Sequence, residues 1–219
     1  MKFFLKPFVI IILSSLSLNA QTTNISTPSN IDIAKVLNMV KQGAVAQLVE
    51  AEKKGLDLNS LDAFGSSLLM NAILHQQTKV VDYLISKNVK LDVKSQNQQT
   101  ALSLAVSNDQ PELAKKLIEL GVPLEGKCGR KELFVCAITM NDLNTAKLLF
   151  EKNKELILQK NEKNESVLIE AVKYGTTEVV KWLISQNKLE LNDKSEDGKT
   201  ALQIAQEMER DEIIVLLKK

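Results

Sequence analysis

Histidine occurs once in this 219-residue chain, tryptophan once and cysteine twice. Catalysis and metal binding need polar groups that converge on one point. The one histidine, His75, has no Cys, Asp or Glu partner at a ligand or general-base spacing. A phosphate-cradling glycine loop, a nucleophile elbow and a zinc-protease helix are also missing. The residues therefore argue against an enzyme and call for no cofactor and no metal. Aromatics make up 4%, so Leu, Ile, Val and Ala must fill the core. Four prolines and eight glycines are too few for a loop-rich or all-β chain. Neither sign of charge dominates, with 28 basic against 27 acidic residues. A near-neutral surface does not draw in nucleic acid or anionic lipid by its bulk field.

One long apolar run is present, at the N-terminus. Lys2 and Lys6 precede apolar residues from Phe8 to Leu18, and Asn19-Ala20 follow before Gln21. This is the order of charged, apolar and small-residue regions in a secretory signal. The run is shorter than the ~20 apolar residues that span a bilayer. Residues 1–20 are expected to be a signal cleaved after Ala20, and 21–30, polar and carrying Pro28, a flexible leader. Residues 31–219 form the folded domain. Removing Lys2 and Lys6 leaves 26 basic against 27 acidic residues. The expected location is the bacterial periplasm, without membrane contact after cleavage. Secretion, or tethering by an uncleaved segment, are the alternatives.

Within the folded part a period runs through the sequence. Ala72, Ala105, Ala137, Ala171 and Ala205 are spaced by 33, 32, 34 and 34 residues. Five positions before each stand Ser67, Thr100, Glu132, Ser166 and Thr200. Ser and Thr there can accept a hydrogen bond from an unpaired amide at a helix start. Behind each alanine comes a second apolar stripe, such as Val80, Val81, Leu84 and Ile85, or Val179, Val180, Leu183 and Ile184. Such pairs lie on one face of a helix. Each unit reads as turn, helix, tight turn, helix, tail. A pair this small cannot bury its apolar faces alone and must stack on copies of itself.

Gly65-Ser66-Ser67-Leu68-Leu69-Met70-Asn71-Ala72 and Gly198-Lys199-Thr200-Ala201-Leu202-Gln203-Ile204-Ala205 resemble the "G-x-T-P-L-H-x-A" core of ankyrin repeats. Ala171-Val172-Lys173-Tyr174-Gly175 with Glu178-Val179-Val180 resembles that family's "A-A-x-x-G-x-x-E-V-V", with Gly175 as the hinge. Gly55-Leu56-Asp57-Leu58-Asn59 and Lys188-Leu189-Glu190-Leu191-Asn192 resemble its tails. The resemblance implies an all-α solenoid of about six stacked helix-turn-helix units with atypical terminal caps. The family's proline is replaced by Leu68, Ala101, Leu133, Val167 and Ala201. Its histidine, which knits neighbouring turns, is replaced by Met70, Ser103, Val135, Ile169 and Gln203. Lys127 to Gln159 is the most degenerate unit, and the weakest stacking is expected there.

Cys128 and Cys136 leave two readings open. An even count in an exported chain invites a disulfide, worth roughly 2–3 kcal/mol for so small a loop. Alternatively Cys136 is a small apolar residue of the first helix and Cys128 lies free in the turn. Ideal repeat geometry holds the two Cβ atoms farther apart than the roughly 4 Å a bridge needs, which favours the second reading.

In ankyrin arrays the partner meets the turn tips and the exposed ends of the first helices. Carried over, the resemblance implies a strip through Ala63, Phe64, Ser66, Leu74 and His75, then Gln96, Asn97, Gln99, Ser107 and Asn108. It continues through Cys128, Gly129, Lys131, Thr139 and Met140, then Glu162, Lys163, Glu165, Lys173 and Tyr174, then Glu196, Asp197, Lys199, Glu207 and Met208. Binding energy concentrates in a few buried aromatic and apolar anchors, so Phe64, Leu74, His75, Met140 and Tyr174 are the expected partner-binding residues. Phe64 and Leu74 have a competing structural role, as covers for neighbouring turns. Trp182 is expected to pack between repeats. The implied function is a monomeric, non-catalytic protein-binding scaffold. An inhibitor or immunity factor capping an exported enzyme, and a host-directed effector, are the alternatives.

Overall fold

The computed structural model describes residues 32–218; the expected signal and leader lie outside the described residues. Six helix pairs follow one another: α1 (Ile33–Lys41) with α2 (Val45–Lys53), α3 (Leu68–Leu74) with α4 (Thr78–Ser86), and α5 (Ala101–Ser107) with α6 (Pro111–Glu119). Then come α7 (Leu133–Thr139) with α8 (Leu143–Lys152), α9 (Val167–Tyr174) with α10 (Thr177–Ser185), and α11 (Ala201–Glu207) with α12 (Asp211–Leu217). First helices stack on first helices to make the inner layer, and second helices form the outer one. All five periodic alanines are fully buried. A methyl at that point lets adjacent inner helices approach closely, which explains why a larger residue does not recur there.

Inner helices of the middle units are buried over most of their length because neighbours cover both sides. Leu102, Leu104 and Val106 are buried in α5, and Val167, Leu168, Ile169 and Val172 in α9. Outer helices bury a single stripe, as with Val80, Val81 and Leu84 in α4. The degenerate unit is not poorly stacked. Six consecutive residues of α7, Leu133 to Ile138, are buried, and Phe134 is among the largest fully buried side chains. Trp182 from α10 meets the Phe134 ring at 6.4 Å and the Phe150 ring edge-on at 5.6 Å. The expected loss of family residues there is offset by this aromatic cluster.

Helix starts follow the hydroxyl pattern with one exception. Ser67, Thr100 and Thr200 accept from the amides of Met70, Ser103 and Gln203. Ser166 stands at the start of α9 but its side chain caps nothing; its buried Oγ has no partner among the described residues. Glu132 likewise makes no cap bond.

Turns between paired helices follow one geometry with a single departure. Gln76, Asp109, Asn141 and Glu209 take the left-handed conformation at the equivalent position. Gly175 does not: its φ is −83°, and α9 runs one residue further. A Cβ there would lie 2.8 Å from the Ala171 carbonyl, so close approach is what requires glycine.

The fourth unit differs in its turn. In the second, fifth and sixth units a single bridge closes it, between Leu61 and Ser67, Lys160 and Ser166, and Lys194 and Thr200. Here β1 (Lys127–Cys128) and β2 (Lys131–Glu132) pair as an antiparallel hairpin, Lys127 opposite Glu132 and Cys128 opposite Lys131. The turn is one residue shorter, which accounts for the spacing of 32 between Ala105 and Ala137. This shortening overturns the expectation that the two cysteines stand too far apart. Cys128 and Cys136 are joined as a disulfide, with Cα atoms 6.1 Å apart, inside the usual range. Ahead of the hairpin, Gly126 lies against Thr100, where a Cβ would come within 2.5 Å of Oγ1.

Candidate functional site: the inner face and turn tips

The inner face begins with a hollow. Asp62 Oδ1 accepts from the amides of Phe64 and Ser66, at 2.8 and 2.9 Å, and so curls the turn. Its Oδ2 accepts from Asn71 Nδ2 at 2.9 Å, tying the turn to α3. The Phe64 carbonyl accepts from the Gln96 amide at 3.0 Å, linking this turn to the next. With its backbone so held, the Phe64 side chain is left 66% exposed and Leu74 48%. Together with Leu37, Lys41, Met70 and His75 they line an open hollow of about 660 Å³. Burial, and next the Lys41 ammonium, push the His75 imidazole below its ordinary value. The hollow is thus a largely apolar recess, with Lys41 and Asp62 also in its lining, suited to an apolar side chain of a partner.

Three units further on, the same backbone carries a polar network. Asn161 replaces the aspartate, and its Oδ1 accepts from the amides of Lys163 and Glu165, both at 2.9 Å. Its Nδ2 donates to Glu170 Oε1 at 2.6 Å and Glu165 Oε2 at 3.2 Å. Glu165, expected on the exposed strip, is instead buried. Lys173 Nζ donates to both its oxygens, at 2.7 and 2.9 Å, and the Glu196 amide to one, at 3.2 Å. Burial pushes the Glu165 carboxyl up, but the bonds from Lys173, the Glu196 amide and Asn161 outweigh it and hold it below the ordinary value. Lys131 Nζ lies 3.0 Å from buried Glu170 Oε2 and 4.3 Å above the centre of the Tyr174 ring. Tyr174 remains 57% exposed and Met140 48%.

The expected site residues therefore fall into two groups. Phe64, Leu74 and His75 come together in the hollow, whereas Met140 and Tyr174 stand outside it. Sequence reasoning missed Lys41, Asn71 and the Glu165–Glu170 pair. The signal for the pair was present: Asp62/Asn71 and Asn161/Glu170 are each 99 residues apart, with donor and acceptor types exchanged.

The turn-to-turn links of the missing histidines are made differently here. The Lys127 amide donates to the Gln98 carbonyl at 2.8 Å, Gln110 Nε2 to the Ile73 carbonyl at 2.9 Å, and the Thr176 amide to Asn141 Oδ1 at 2.7 Å. Arg210 donates to the carbonyls of Val172 and Gly175, at 2.6 and 2.5 Å. Among the described residues no cluster of three or more His, Cys, Asp or Glu is placed to hold a metal.

The profile "Ankyrin repeats (3 copies)" matches residues 36–127 and 133–219, and the chain belongs to the ankyrin-repeat family. It is similar, at 32% identity and a TM-score of 0.73, to a chain in the structure of the Bd0816 predatory endopeptidase from Bdellovibrio bacteriovorus in complex with immunity protein Bd3460; the match covers 84% of this chain and 96% of that one. An ankyrin repeat domain from Acinetobacter baumannii AYE superposes with a TM-score of 0.72 at 18% identity, over 85% of this chain and 97% of that one, a likeness of fold alone. The ankyrin repeat domain-containing protein SAT10 of Stachybotrys chartarum is 22% identical over 145 residues, 66% of this chain. The chain spans 8% of SAT10 and 19% of the other curated relative, a putative palmitoyltransferase of Danio rerio. Ankyrin arrays are protein-binding scaffolds, and protein binding is the function this fold carries.

Proposed function

We propose that this chain is an immunity-type inhibitor that binds a peptidase exported by the same cell and caps it in the periplasm. The observation that carries the proposal is the 32% identity, over 84% of this chain and 96% of the other, to a chain from an endopeptidase–immunity protein complex. The inner face supports it physically. A recess holding Phe64 and Leu74 accepts an apolar protrusion of the enzyme, while the rigid turn tips beyond it supply the polar rim of an interface. Capping needs no chemistry from the inhibitor. It needs a surface already in its bound shape, because ordering residues on binding reduces affinity.

The experiment is an affinity capture from the periplasmic fraction with the full chain, followed by assay of what is retained. A peptidase held through a high-salt wash, and losing activity on stoichiometric addition of the chain, is the expected outcome. Weak retention of several unrelated proteins, none of them a peptidase, would overturn the proposal. That outcome favours the second reading, a scaffold with more than one partner. The division of the strip into an apolar hollow and a charged section supports that reading, since each could receive a different protein.

A further inference from the structure

We propose that the hairpin of the fourth unit is a contact finger whose Arg130 grips a carboxylate side chain on the partner protein; only the identity of that partner rests on the peptidase reading. The chain has two arginines, Arg130 and Arg210. Arg210 is used internally, on the Val172 and Gly175 carbonyls. Arg130 is exposed at the hairpin tip and has no ion pair or side-chain hydrogen bond among the described residues. Its neighbours are all matched. Lys127 faces Glu132 and Glu162, Lys131 faces Glu170, Lys163 faces Glu196, and Lys199 faces Glu207. Those lysines are all engaged, which leaves Arg130 as the cation at the hairpin tip without an ion partner among the described residues.

The backbone beneath Arg130 is held more firmly than in the other turns. Gly129 and Arg130 make a two-residue loop, with Gly129 at φ +64° in the first position, as a type II′ turn requires. Both sides are paired in the hairpin, and Cys128, next to the loop, is bonded to Cys136, itself buried in α7. A guanidinium on so short and braced a loop loses little freedom when it meets a carboxylate through two parallel N–H···O bonds. A protein surface carrying Asp or Glu opposite the array's centre is the partner this fits.

Two arms test the proposal. The full chain carrying ¹⁵N-arginine gives two side-chain signals, with Arg210 as the internal control. Hexaglutamate should shift the Arg130 signal saturably while hexaglutamine leaves it in place and Arg210 stays fixed. The response should weaken about threefold in C128S/C136S or after reduction, with an unchanged Arg210 signal reporting that the fold is intact. An Arg130 signal that ignores hexaglutamate, or one that responds equally without the disulfide, overturns the proposal. In the second arm R130E should lower affinity for the captured peptidase by roughly tenfold or more, and R130K by less. An R130E chain that binds as tightly as the native one defeats the finger and leaves the peptidase reading standing. Capture of no peptidase defeats that reading and leaves the arginine signals to decide.

Discussion

The turn at residues 61–75 and the turn at 160–174 share one backbone plan and put opposite chemistry on it. In the first, Asp62 accepts from two amides and from Asn71, and the side chains above open into an apolar hollow. In the second, Asn161 accepts from the same two amides but donates outward, so acids occupy the surrounding positions and draw in Lys131 and Lys173. Exchanging an acceptor for a donor at one half-buried point goes with the change from an open space above to one filled with ion pairs. A repeat array can therefore grade its surface from recess to charged ridge without altering the stack.

Four experiments break or sharpen that contrast. Glu165→Ala should cost the most, about 2–3 kcal/mol in urea unfolding. It strands Lys173, whose side chain is 24% exposed, so the loss falls short of that for a fully buried pair. A change below ~0.5 kcal/mol would mean that the C-terminal network is ornamental. Phe64→Ala should leave unfolding unchanged and weaken the captured partner's affinity about 10- to 30-fold. Tyr174→Ala should weaken it less, since the ring already engages Lys131. Equal losses at the two aromatics would erase the distinction between the hollow and the ridge.

Smaller effects separate the two helix starts. Ser67→Ala removes a cap bond and should cost about 1 kcal/mol, whereas Ser166→Ala removes a buried hydroxyl without a partner and should cost close to nothing. The last experiment is a titration. The Glu165 carboxyl is held below its ordinary value in the fold, so its contribution is complete above about pH 4.5 and fades as pH falls through the lowered value. Amide exchange followed downward from pH 5 should show the 160–174 turn loosening before the 61–75 turn. Simultaneous loosening would assign the acid response to something other than this network.

The stack was legible because burial repeats. Alanines at a near-constant spacing, with apolar pairs behind them, can be satisfied only by helices packed on their own kind. The hollow was half legible. Phe64, Leu74 and His75 follow from the turn register, but Lys41 reaches it from the neighbouring unit, and no local pattern marks that approach. Glu165 was misplaced because a carboxylate in a turn reads as solvated. Its burial depends on Lys173, Asn161 and the Glu196 amide converging from three segments. The disulfide was judged against an ideal turn, while the chain had already dropped one residue there. The hinge at Gly175 was inferred from residue type, and glycine serves there through its lack of bulk and not through its handedness.

Arg210 reaches from the start of the last helix to two carbonyls at the end of α9, in the preceding unit. One side chain thus rivets the closing slab to the slab before it. Under tension or thermal fraying the C-terminal end should let go as a block of two units instead of shedding them singly, and the array inherits a blunt, cooperative terminus in place of a soft one.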